Sequence, residues 1–75
     1  MAWLEKATLD LTNAKFESNV SGIVKDFVME NTWNTPFIIK TGDDVGVRSK
    51  VTMVLDTLQI KMSKWRDDEI EVVDV

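Results

Sequence analysis

A chain of 75 residues has room for one domain and one modest core, close to the size at which good packing or oligomerisation must help stability. Its 44% hydrophobic and 29% charged residues belong to an ordinary globular domain, and cysteine and histidine are both absent. That absence excludes disulfide frameworks, thiolate and imidazole metal sites, and the commonest general base. The formal charge of -4 opposes nucleic-acid backbone binding over the whole surface, while leaving room for a local basic face.

No apolar run approaches the roughly 18 residues of a membrane span. Met1 to Glu5 lacks the basic start and long apolar centre of a signal peptide. The expectation is a soluble, cytoplasmic protein with no membrane contact.

From Trp3 to Leu11, Trp3, Ala7, Leu9 and Leu11 alternate with Lys6, Thr8, Asp10 and Thr12, most regularly over Thr8 to Thr12. This predicts a strand with one solvated face. Asn13, or Ser18 for a later start, offers a side-chain oxygen to cap a helix. Phe16, Val20, Ile23, Val24, Phe27 and Val28 then follow at helical spacing, giving a helix that ends near Asn31. Gly22 is expected on its outer face, at a cost of about 1 kcal/mol relative to alanine. Asn31 to Pro36 reads as a loop.

The stretch from Thr35 to Met62 organises the chain. Phe37, Ile38 and Ile39 form a continuous apolar run entered through Pro36, the pattern of a strand covered on both faces. Gly42, Asp43, Asp44 and Gly46 make a turn, and Val47, Val51, Val54, Leu55, Leu58 and Met62 form a second helical stripe. Ser63 to Asp68 reads as a polar connector carrying an isolated Trp65. Glu69 to Val75, apolar residues between acids, predicts a final strand at a sheet edge.

The order β-α-β-α-β places residues 1–75 in one α/β (α+β) two-layer sandwich, with a small mixed or parallel sheet and both helices on one face. The opposite sheet face, or a dimer contact covering it, is where function is expected.

Leu9-Asp10-Leu11 closing a first strand, Ile38-Ile39 leading into a glycine-containing loop, and Val47 to Val51 opening a helix together resemble the small MutS-related (Smr) domain. The resemblance spans Leu9 to Leu55. It implies nucleic-acid nicking or RNA binding on an α/β sandwich. The family's two histidines fall at Thr12 and Lys40, so of its cleavage residues only Asp10 corresponds. The implication is a nuclease fold without its nuclease, retaining at most a binding surface.

Gly42 to Gly46 sits where phosphate-binding loops sit, but no Lys-Ser/Thr pair follows and two aspartates repel phosphate. Helix capping explains them better. Asp10, Asp43 and Asp44 lie at the ends of two strands and could hold Mg²⁺ through oxygen, although turn chemistry accounts equally for Asp43 and Asp44, and Asp10 reads as a surface residue of its strand. No catalytic residue, metal or cofactor is therefore expected. Lys40, Arg48, Lys50, Lys61, Lys64 and Arg66, with Trp65, could bind single-stranded RNA, or simply solvate the second helix. Trp33 and Trp65 stand at element ends, where large aromatics cap cores or anchor interfaces.

The expectation is thus a small non-catalytic binding protein, an adaptor or inhibitor of the kind a phage or mobile element uses to occupy a host factor. Lys40, Arg48, Lys50, Trp33, Trp65 and Arg66 are the candidate contacts. Its partner is expected to be another protein or a second copy of the chain, with RNA as the alternative.

Overall fold

The computed structural model describes residues 7–13 and 18–75. These form β1 (Thr8–Asp10), α1 (Val20–Glu30), β2 (Phe37–Lys40), α2 (Val45–Thr57), β3 (Met62–Arg66) and β4 (Glu69–Asp74). Trp3, proposed to start the first strand, and Phe16, proposed for the first helical stripe, lie outside the described residues.

The strand, turn and helix expected after Pro36 are all present. Phe37 and Ile39 are fully buried in β2, whereas Ile38 is only half-buried on the opposite face, so the strand is not covered equally on both sides. Gly42 then turns the chain with φ at 68°, a left-handed conformation that costs glycine nothing sterically. Asp44 caps α2, its Oδ1 accepting the Val47 N–H at 3.0 Å. Thr41 is buried yet satisfied, its hydroxyl donating at 3.0 Å to the Asp68 carbonyl.

Other boundaries differ from expectation. The N-cap of α1 is Asn19, not Asn13 or Ser18. Gly22 is half-buried rather than outward, and a Cβ there would come within 2.5 Å of the Asn19 side-chain oxygen. Its missing side chain makes room for that carboxamide.

Helix α2 stops at Thr57 instead of running to Met62. Gln59 takes the left-handed conformation (φ 57°), the Gln59 N–H donates to Asp56 O at 3.1 Å, and the Ile60 N–H donates to Leu55 O at 3.1 Å. This is the paired hydrogen-bond pattern that closes many helices, normally with glycine in the left-handed position. Because Gln59 stands there, composition does not reveal the stop.

Ser63 to Asp68 is correspondingly not a connector. Met62 to Arg66 is a strand, and Asp67 and Asp68 are the tip of a hairpin into β4, with Asp67 at φ 46°. The order is therefore β-α-β-α-β-β.

The described strands form one mixed sheet in the order β1-β2-β4-β3. β1 and β2 are parallel, and β4 is antiparallel to both β2 and β3. The last strand thus lies in the interior, not at an edge; its acids face the cations of β3 instead of guarding a boundary. The two strand-helix-strand crossovers, from β1 to β2 and from β2 to β3, move across the sheet in the same direction. A common handedness then sets both helices on one face, where they contact each other.

Register sorts the side chains. Leu9, Ile39, Ile70 and Trp65 form one row on the helix side, with Phe37 and Val72 in the next. Against them pack Val20, Val24 and Val28 of α1 and Val47, Val51 and Leu55 of α2. Phe27 meets Phe37 edge-to-face at 5.3 Å. The opposite face carries Thr8, Ile38, Glu71 and Lys64 in one row and Asp10, Lys40, Glu69 and Arg66 in the other.

Candidate functional site

The carboxylates at the strand ends serve turns and caps. Asp10 Oδ1 accepts from the Thr12 hydroxyl at 2.6 Å and the Thr12 N–H at 2.9 Å. These bonds, and more weakly the charge of Lys40, hold the Asp10 carboxyl below the usual carboxylate range. Asp44 is committed to α2, and Asp43 is exposed. Among the described residues no group of three or more acidic side chains is placed to hold a metal ion.

The six side chains proposed from the sequence do not share one surface. Lys40 and Arg66 lie on the sheet face away from the helices, in a row that reads acid, base, acid, base across the four strands. Such opposed charges stabilise cross-strand neighbours and leave little net positive field. Arg66 also pairs diagonally with Glu71 at 3.2 Å, and Glu71 is only 7% exposed. Lys50 is exposed on the flank of α2 opposite the one that carries Arg48, as their helical spacing requires. Trp33 is 79% exposed beyond α1, with its indole N–H donating to Glu30 O at 2.9 Å. It satisfies one of the carbonyls a helix end leaves open.

Arg48 and Trp65 do meet. The Arg48 guanidinium lies 4.5 Å from the Trp65 ring centroid, and its Nη1 donates to Asp67 O at 3.3 Å. The contact ties the first turn of α2 to β3 and to the hairpin tip. Beside it, between α2 and the hairpin, runs a cleft of about 200 Å³ lined by Thr52, Leu55, Asp56, Ile60, Ser63, Trp65 and Ile70. That is smaller than the roughly 300–1,000 Å³ of typical small-molecule sites, and suits a single side chain.

A second groove, of about 340 Å³, separates the helices and is lined by Ser21, Gly22, Lys25, Met53, Val54, Thr57 and Leu58. Leu55, Ile60, Ile70 and Ser63 were not foreseen as site residues, since Leu55 reads as core from its helical spacing and only the chain reversal after α2 and the pairing of β3 with β4 bring Ile60, Ser63 and Ile70 beside it. The available signal was Asp67-Asp68, a turn pair ahead of an acid-apolar alternation.

A two-layer α+β domain with an aromatic-walled cleft at one end of its sheet is what this chain defines. Comparison with protein-family models, with curated proteins and with solved structures finds no match.

Proposed function

We propose that the chain is a small non-catalytic binding module that works in the cytoplasm through protein-protein contacts, as an adaptor or inhibitor. The observation that carries this reading is the stacking of Arg48 on Trp65, a residue that lines the α2-β3 cleft. Tryptophan and arginine dominate binding energy at interfaces when they sit beside a pocket that excludes water. Holding Arg48 against the ring before a partner arrives reduces the ordering cost of association.

Selection from a random peptide library tests the proposal. Peptides enriched on the wild-type chain should be lost on Trp65→Ala, and also on Thr52→Arg, which fills the cleft from an exposed helix position. Failure of any peptide to enrich would overturn the reading. Sedimentation of the wild type separates a foreign partner from a second copy of the chain.

The second reading is an RNA-binding relative of the small MutS-related domain without its nuclease, favoured by the same arginine-aromatic pair on which a base could stack. Single-stranded RNA would then bind with strong salt dependence. The alternating charges around Lys40 and Arg66 weigh against it.

A further inference from the structure

We propose that β3 accepts an extended segment of a partner protein as an added strand, and that this segment alternates acidic and apolar residues. The inference rests on the protein-binding reading and specifies the partner's chemistry.

β3 lies at one end of the sheet, so among the described residues one of its backbone edges has no strand beside it. Which groups face that edge follows from the ladder. Ile38 N–H donates to Ala7 O at 2.8 Å, and Lys40 O accepts from Leu11 N–H at 2.7 Å, so these residues of β2 face β1. Alternation turns Phe37 and Ile39 toward β4, and their partners Val72 and Ile70 back toward β2. Glu69 and Glu71 then face β3 and meet Arg66 and Lys64. Ser63 and Trp65 are left with their N–H and C=O groups directed out of the sheet. An added strand needs these groups.

The side chains define the segment. Lys61 to Arg66 carries three cations and no acid, inside a chain whose net charge is -4. Lys64 and Arg66 point to the face away from the helices, where residues opposite them in an added strand would be acidic. Ser63 and Trp65 point to the helix side, beside the cleft that Leu55, Ile60 and Ile70 line. Residues opposite these would be apolar.

β4 already shows this pattern on the other edge of β3. Glu69 lies opposite Arg66, Glu71 opposite Lys64, and Ile70 opposite Trp65. A second copy of the chain is a poor occupant, because pairing β3 with another β3 brings basic residues together. An edge lysine is itself a common guard against such self-association.

The test uses the full chain, labelled for amide NMR, and two synthetic peptides: one alternating glutamate and valine, the other lysine and valine. The acidic peptide should shift the Ser63 and Trp65 amides and slow their hydrogen exchange. Added salt should weaken binding, Lys64→Glu should weaken it at least tenfold, and that variant should prefer the lysine peptide. N-methylation of alternate peptide amides should abolish binding in one phase and spare it in the other.

The inference fails if neither peptide moves Ser63 and Trp65, if Lys64→Glu leaves affinity unchanged, if single-stranded RNA replaces the peptide at these amides, or if the chain forms a dimer through β3. Library peptides that bind in the α1-α2 groove would sink strand addition while leaving the protein-binding reading intact.

Discussion

Gln59→Gly should make the protein more stable, against the usual direction of point substitutions. Gln59 is exposed and holds the left-handed conformation at which two N–H groups close α2. For an L-residue that conformation costs about 1–2 kcal/mol, which glycine does not incur. Glycine gives back about 0.5–1 kcal/mol through its greater freedom in the unfolded chain. The net gain is about 0–1.5 kcal/mol, and its centre, about 0.75 kcal/mol, corresponds to roughly 3–6 °C in Tm at the 4–8 °C per kcal/mol typical of a domain this size. Thermal and urea unfolding followed by circular dichroism would read both numbers. Gln59→Ala removes the same side-chain atoms but keeps a Cβ, so it should show no such gain. Gln59→Val should be destabilising, because a β-branched residue resists positive φ. If the glycine variant is no more stable than the alanine variant, α2 does not close as described.

Asp44→Ala should cost about 1 kcal/mol by removing the α2 cap, whereas Asp43→Ala should cost almost nothing; urea midpoints of the two compare them directly. Phe37→Ala removes a fully buried ring and its edge contact with Phe27, a loss of about 3–5 kcal/mol. Against a total of roughly 4–11 kcal/mol for a chain of this length, cooperative unfolding should weaken severely, and a midpoint near wild type would refute the core assignment. Thr12→Val removes the hydroxyl that holds down the Asp10 carboxyl, so carboxyl NMR titration should find Asp10 closer to the ordinary value. Because the folded value is the lower one, its stabilising contribution is present above the ordinary aspartate range and is lost as pH falls through the depressed value. An unchanged Asp10 titration in the variant would contradict the Thr12 contact.

The β2-turn-α2 ribbon was legible because each of its signals is local: an apolar run, a glycine at positive φ, and an aspartate three residues before the amide it caps. β3 was not. An edge strand directs Lys64 and Arg66 to one face and Ser63 and Trp65 to a half-covered one, so no apolar alternation survives to mark it. The end of α2 was hidden by the glutamine at its stop, which also drew Met62 into the wrong element. β4 could be recognised as a strand from its alternation, but its acids suggested a solvated edge when they face cations of the neighbouring strand. At the candidate site, Arg48 and Trp65 were both named from residue type, yet their contact depends on a crossover that local spacing does not encode. Lys40, Lys50 and Arg66 were grouped by charge alone; the fold puts Lys40 and Arg66 in one row of the sheet face away from the helices, with acids between and beside them, and Lys50 apart on α2.

Amide hydrogen exchange of the free protein at Ser63, Lys64, Trp65 and Arg66 is the most direct test of the exposed strand on which the binding proposals depend. Lys64 and Arg66, bonded to β4, should exchange slowly, while Ser63 and Trp65 should exchange fast. Slow exchange at all four, or protection in the opposite phase, would contradict the open edge.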